Sequence, residues 1–215
     1  MKIEIKMLTM GIAATNCYIV GDTERREAIV IDPVDQAALI QQSAQAEGWT
    51  IKLIVATHAH FDHVLASKEL KELTGAPFYL HGDSLPLLRN LPQQGIMFTG
   101  KPFPEAAAPD RLLTTESEII ELGAIRLETL YTPGHAPGHL SFYMRDGKLV
   151  FSGDSLFAGS VGRTDLPGSD QELLMRSIFD KLLTLDDDTR VLPGHMGMTT
   201  IGKERATNPF ILAYA

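Results

Sequence analysis

A single cysteine, Cys17, stands among 215 residues, so neither an intramolecular disulfide framework nor a zinc site built from several thiolates is available. Long apolar runs are missing too, and nothing approaches the roughly 18 consecutive apolar residues of a membrane span. The opening MKIEIKMLTMGIAA places Glu4 and Lys6 where a secretory leader needs apolar continuity, and its Ile3, Ile5, Met7 alternation has the period of a strand. The expectation is a cytoplasmic protein with no membrane partner, beginning with a β-strand. Positive charge is scarce: 19 Lys and Arg face 27 Asp and Glu, a net charge of −8. Each phosphate held needs a cation, so nucleic acid is not expected as a partner. What is present, 44% hydrophobic and 21% charged residues, is the balance of a globular chain.

Residues 17–20 and 28–31 are short β-branched runs around a polar turn, the pattern of a hairpin. Asp35 is placed to cap a helix that Gly48 stops. Residues 51–56 read as a buried strand, 65–74 as an amphipathic helix closed by Gly75, and 78–80 as a further strand. Between residues 91 and 109 Gly, Pro, Gln and Ala dominate, which predicts a long connection. Beyond it, 119–122, 125–131, 140–144 and 149–151 are strand-like, with Asp146-Gly147 as a hairpin turn. Residues 171–183 read as a helix capped by Ser169 or Asp170, and 190–192 as a last short strand.

The chemistry concentrates where strands end. After the buried run IKLIVAT comes H-A-H-F-D-H, which sets His58, His60, Asp62 and His63 within six residues. Imidazole and carboxylate are the ligands zinc or iron takes without thiolates. A helix would scatter these positions around its circumference, so the segment is expected as a turn that offers ligands to two adjacent metal positions. One loop cannot close two coordination spheres. His135 in TPGH, Asp154 in FSGD and His195 in LPGH each follow a strand and a glycine, and supply the rest. His139 is expected either to orient a ligand by hydrogen bonding or to be structural. His81 reads as a buried or rim histidine, Cys17 as a core residue, and Tyr131 and Trp49 as packing. Arg163 has two readings, binding of a substrate carboxylate or an ion pair with Asp165.

The motifs NCYIV, VIDP, THAHFDH, TPGHAPGH, FSGDSLF, GRTDLPG, and LPGH followed by TTIGKERATNPF occur in this order along nearly the whole chain, and in that order they resemble the metallo-β-lactamase-fold superfamily. The resemblance implies an α/β fold, an αββα sandwich of two mixed β-sheets flanked by helices, formed by one domain over residues 1–215. It implies that His58, His60 and His135 hold a first metal ion, that Asp62, His63 and His195 hold a second, and that Asp154 bridges them. Asp32 would support the ligand loops. The chain looks most like the short bacterial relatives of type II glyoxalases, the hydroxyacylglutathione hydrolases, and less like the β-lactam-hydrolysing branch.

That branch implies two divalent ions, zinc first with iron or manganese open. Its reaction is hydrolysis of a small-molecule thioester such as S-lactoylglutathione: metal-bound hydroxide oriented by Asp62 attacks the carbonyl, and a thiolate leaves. Twenty residues follow His195, so the helical C-terminal domain of full-length glyoxalases is not expected. Where those enzymes have a lysine and a tyrosine for the tripeptide, this chain reads Gly162, Arg163, Thr164, Asp165, which leaves the thiol carrier open. Met196 stands where many relatives have glycine and is expected to narrow the pocket. The alternative is a persulfide dioxygenase with one iron on His58, His135 and Asp154. An RNA-processing nuclease of the same fold would need a basic arm or an added domain, and neither is evident.

Overall fold

The computed structural model describes residues 2–214. The alternating start forms β1 (Ile3–Met10), paired antiparallel with β2 (Thr15–Asp22), which in turn pairs with β3 (Glu27–Ile31). Parallel pairing extends this sheet through β4 (Thr50–Val55), β5 (Phe78–His81) and β6 (Arg111–Leu113). In the second sheet β7 (Ile119–Leu122), β8 (Ile125–Tyr131), β9 (Leu140–Met144) and β10 (Leu149–Gly153) run antiparallel. After a small ribbon, β11 (Leu156–Phe157) and β12 (Ser160–Val161), β13 (Arg190–Pro193) pairs parallel with β10, and β14 (Thr199–Thr200) forms the edge. Both sheets are mixed, as the resemblance implies.

Period-two alternation decides which layer each side chain enters. Along β2, Tyr18 and Val20 point between the sheets while Cys17 and Ile19 point outward, and β3 repeats this with Ile29 and Ile31 against Ala28 and Val30. The inner faces of the second sheet add Phe142 and Phe151 to the layer between the sheets, where Tyr18 meets Phe151 edge-on at 5.2 Å. On the outer face of the first sheet lie α1 (Ala37–Ala46) and α3 (Ser67–Thr74), through Ile40, Ala44 and Leu70. On the outer face of the second lie α6 (Gln171–Ser177), α7 (Ile201–Thr207) and α8 (Pro209–Tyr214), through Leu174, Ile201 and Ile211. The result is the expected αββα sandwich. None of the described helices is long and apolar enough to cross a membrane.

Several local expectations need correction. The segment expected as a connection, residues 91–109, begins with a helix, α5 (Leu91–Thr99), which follows directly on α4 (Leu85–Arg89). Pro92 lies in the first turn of α5, where its missing N–H is harmless, and Gly100 ends the helix at φ +76°. Asp35 does not cap α1. That place falls to Gln36 at φ +51° without a side-chain cap, and the Asp35 carboxylate accepts from the Gln36 N–H instead. The histidine-rich turn is not wholly irregular, since Phe61–Val64 makes a single helical turn, α2, ahead of α3. Asp146-Gly147 belongs to a 3-10 turn over Arg145–Gly147, with Lys148 at φ +46°. The helix expected through residue 183 changes to a π-turn after Ser177. Asp170 is its cap, accepting from the Leu173 N–H.

Trp49 is packing, as expected, and its partner is Gly21. A Cβ built on Gly21 would lie 2.3 Å from the indole, so the ring lies directly on the strand backbone. Gly21→Val is therefore expected to overpack this contact by about 1–3 kcal/mol, and thermal denaturation should show Tm lowered by roughly 2–12 °C.

Candidate metal centre

Every strand that leads into a histidine turn ends at the same edge of the sandwich. The two sheets are fastened together there: the Leu140 N–H donates to the Thr57 carbonyl at 2.8 Å, and the Asn16 N–H to the Gly194 carbonyl at 2.7 Å. His58, His60, Asp62, His63, His135, Asp154 and His195, drawn from four separate segments, meet at this edge. Three groups form in which the potential ligand atoms lie within 4.8 Å of one another: His58, His60, His135; His58, His63, Asp154; and Asp62, His63, His195.

Hydrogen bonds on the far nitrogens of His58, His63 and His135 set which nitrogen of each faces the site. Asp32 accepts from both the N–H of Thr57, at 2.7 Å, and its Oγ1, at 2.9 Å. With its proton committed to Asp32, Thr57 Oγ1 accepts from His58 Nδ1 at 3.0 Å, which leaves a lone pair on His58 Nε2. His135 Nδ1 donates to the Arg163 carbonyl at 2.8 Å, so its Nε2 also faces inward without a proton. His60 Nδ1 stands 2.9 Å from each of these nitrogens. His63 Nδ1 donates to Asp32 at 2.8 Å, and its buried Nε2 is left without a hydrogen-bond partner, as is Asp154 Oδ1.

Converging lone pairs with too few protons to join them, and orphaned buried polar atoms beside them, are the condition a cation relieves. The residues present therefore fit the metal pair that the resemblance implies. Asp154 lies between the groups, with Oδ1 3.4 Å from His63 Nε2, and Oδ2 3.5 Å from His135 Nε2 and 3.3 Å from His195 Nε2. Glycine is required beside it: a Cβ on Gly194 would lie 2.2 Å from Asp154 Oδ1 and 2.7 Å from His63 Cε1.

Charge divides the ligands into two kinds. Burial, with the neighbouring histidines, holds His58 well below its ordinary range, and burial with His135 takes His60 down to about 3. For His63 burial opposes the charge, but Asp154, Asp62 and Asp32 outweigh it and raise the pKa well above the ordinary range. His195 likewise overcomes burial through hydrogen bonds to Asp154 and Asp62, and reaches about 10. Asp62, buried yet surrounded by His63, His195 and Thr15, is held down to about 2.

His139 acts on the backbone. Its Nε2 accepts from the Asp154 N–H at 3.0 Å, which puts the ring proton on Nδ1, directed at Thr132 Oγ1 at 2.9 Å. Of the two readings of Arg163 the structure shows the ion pair, with Asp165 accepting from its guanidinium at 2.6 and 2.7 Å, in a residue that lines the cavity over the cluster. Met196 does not line that cavity. It is exposed at φ +67°, the backbone region that favours glycine. His81 is buried against the Tyr131 ring, away from the cluster. Burial raises the Cys17 thiol well above its ordinary range, as suits a core residue.

Four supporting residues escaped the sequence reading. Thr15 Oγ1 donates to Asp62 Oδ2 at 2.8 Å. The Asn16 amide holds the Pro193 and Met196 carbonyls on either side of His195. Gln94 on α5 accepts from the Phe61 N–H and donates to the Ala59 carbonyl. Thr57 had a visible signal, because a hydroxyl directly before the histidine turn is placed to receive an imidazole N–H. The other three act across the fold and leave no local pattern.

Comparison with known proteins places this geometry in context. A family model described as the metallo-beta-lactamase superfamily matches residues 10–195. The chain is 38% identical to the hydroxyacylglutathione hydrolase GloC of Haemophilus influenzae over 96% of its own length and 97% of the relative's. It is 30% identical to the human mitochondrial persulfide dioxygenase ETHE1, over 95% of this chain and 74% of that one. Among solved structures, BLEG-1 B3 metallo-beta-lactamase superposes with a TM-score of 0.91 at 37% identity, covering 97% of this chain and 99% of that one. TTHA1623 in a di-iron-bound form gives 0.85 at 41% identity, with 95% and 99% covered.

The division of charge has a measurable consequence. At pH 7 the ion-free protein holds His58 and His60 neutral and His63 and His195 protonated. An ion entering beside His58, His60 and His135 should release few protons, whereas one entering among Asp62, His63 and His195 should release about two. Zinc titration by calorimetry in buffers of different ionisation heat is expected to resolve two steps. The buffer-dependent step should strengthen as pH rises from 6 to 9, and one class of sites without buffer dependence would contradict the arrangement.

Proposed function

Because the chain belongs to the metallo-beta-lactamase superfamily, we propose that it is a metal-dependent hydrolase that cleaves a small-molecule thioester. The observation that carries this reading is the second ligand group. A single iron on His58, His135 and Asp154, the arrangement of the persulfide dioxygenase alternative, leaves Asp62, His63 and His195 without a use. Yet these three converge within 4.8 Å, and Thr15 and Asp32 fix two of them from outside. The GloC relative, matched over nearly its full length, points the same way.

His58, His60 and His135 would hold one ion and Asp62, His63 and His195 the other, with Asp154 between them. Such a pair, when bound, supplies a water acidic enough to ionise near neutral pH and polarises the carbonyl under attack. Asp62 takes the positioning role. Thr15, His63 and His195 all address its Oδ2, which leaves Oδ1 to accept a hydrogen bond from the nucleophile. Its low pKa keeps it ionised for that purpose at any ordinary pH. His139 and Gly194 serve Asp154 indirectly, one by anchoring its backbone and the other by leaving room for its carboxylate. Among the described residues lining the cavity, the side chains that titrate are histidine, aspartate and arginine, and none is a neutral acid dedicated to a leaving group. A thiolate leaves without one.

Protein loaded separately with zinc, iron or manganese should release thiol from S-lactoylglutathione or from a thioester of another small thiol, and chelation should abolish the release. Asp154→Ala should retain less than half the metal of the wild type and lose at least a thousandfold in kcat/KM. The ETHE1 relative supports the competing arm. Oxygen consumption with glutathione persulfide, and no thioester cleavage with any metal, would replace the hydrolase reading by that one. Cleavage of a β-lactam alone would replace it by the activity for which BLEG-1 is named.

A further inference from the structure

Building on the hydrolase reading, we propose that the cavity selects thioesters with an uncharged hydrocarbon arm, received by an apolar collar of Ile12, Phe98 and Leu166. These side chains come from three separate segments and face one cavity of about 340 Å³ over the ligand cluster. Ile12 is 73% exposed at the tip of the turn between β1 and β2, and Phe98 is 41% exposed on α5. Exposed apolar residues scattered singly need no explanation, but a ring of them around one opening is a surface suited to being covered.

Two members of the collar sit on backbone that is bonded in place. On α5, the buried Gln94 is bonded to the backbone of Ala59 and Phe61, and Phe98 lies one turn further along the same face. The Phe61 ring sits between Phe98 at 5.0 Å and Phe103 at 5.1 Å, so the wall is stacked and its position relative to the ligands is set by the helix. Opposite it, Ile12 rides a tight turn in which the Ala14 N–H donates to the Gly11 carbonyl at 3.2 Å, with Gly11 at φ +71° and Ala14 at φ +53°.

Charge points to the same class of ligand. Outside the histidine and aspartate cluster, Arg163 is the one polar residue among the described residues that line the cavity. Its guanidinium is already occupied by Asp165. A tripeptide thiol brings carboxylates and an ammonium group that would lie against the collar without partners, at a desolvation cost. A hydrocarbon arm instead gains with each methylene buried. The arm can belong to the acyl or the thiol half, and the chemistry that recognises it is the same.

The test uses the full chain loaded with zinc or iron. kcat/KM is measured for acetyl, butyryl, hexanoyl and octanoyl thioesters of N-acetylcysteamine, and for acetyl thioesters of alkyl thiols of matching lengths. One series should rise by roughly two- to fourfold per methylene until the cavity is filled, and which one rises identifies the half that carries the arm. Ile12→Ser and Phe98→Ala should each cut the ratio of longest to shortest substrate by about tenfold. Ile12 lies on an exposed turn, so its variant keeps the test decisive if Phe98→Ala disturbs folding. Calorimetry with non-cleavable thioethers of the same lengths separates the two readings. Length-dependent binding that Ile12→Ser removes, without cleavage of any thioester, upholds the collar and overturns the hydrolase. Cleavage that is indifferent to length in both series overturns the collar and upholds the hydrolase, and neither binding nor cleavage overturns both.

Discussion

One buried carboxylate orders the metal-binding edge. Asp32 follows β3 at φ +55°, a left-handed conformation that aspartate tolerates better than most residues. From there its two oxygens accept three hydrogen bonds, from the Thr57 N–H, Thr57 Oγ1 and His63 Nδ1. Each has a consequence further in. The first fixes the chain at the start of the histidine turn. The second commits the hydroxyl proton and so determines that His58 presents a bare Nε2. The third orients His63 toward the opposite group. One residue that touches no candidate ion position thus fixes a ligand of each group.

The geometry so imposed is costly to an ion-free chain. Neutral imidazoles face each other at 2.9 Å, charged ones are buried beside carboxylates, and orphaned atoms remain. Burial of such groups is tolerated where the surrounding framework is rigid and the arrangement serves a ligand. Here the rigidity comes from the two sheets, whose apolar inner faces lock their relative position and whose edges are bonded to each other at the site. An ion that binds only the folded state returns stability in proportion to its affinity. The fold carries the strain and the ion relieves it.

The seven residues that converge at this edge were legible because their signals are local and dense. Four nitrogen and oxygen ligands within six residues, and a glycine before each of His135, Asp154 and His195, exceed what packing explains. The strands were legible for a related reason, since burial on both faces or on one writes itself into the sequence with a period of two. What stayed hidden was held in place by distant partners. α5 contains Pro92 and Gly95 and reads as a loop; it is a helix because Gln94 and Phe98 find partners in the histidine turn more than thirty residues earlier in the chain. Thr15 gives no sign that it will meet Asp62 across 47 positions. Asp35, next to Gln36, illustrates the converse, where a residue with the right cap chemistry is passed over because its neighbour, at φ +51°, stands at the helix start and takes the Asp35 carboxylate on its own N–H.

The separation between what holds the ions and what surrounds them bears on how one fold comes to serve differently named relatives. Ligands and their supports are interlocked: exchanging Thr57 would disturb His58 and Asp32 together, and a side chain on Gly194 would displace Asp154. Such positions have little room to vary. The turn at Ile12, the exposed face of α5 and the loop carrying Arg163 and Leu166 are fastened to the same edge by backbone and glutamine hydrogen bonds, yet none of these side chains holds a candidate ligand by a hydrogen bond. Under the proposed function, a change there would alter what the cavity admits while leaving the candidate ligands in place, as expected when loops on a scaffold carry specificity. The ligand cluster therefore defines a class of chemistry, and the choice of substrate within that class rests with the side chains that the cluster does not constrain.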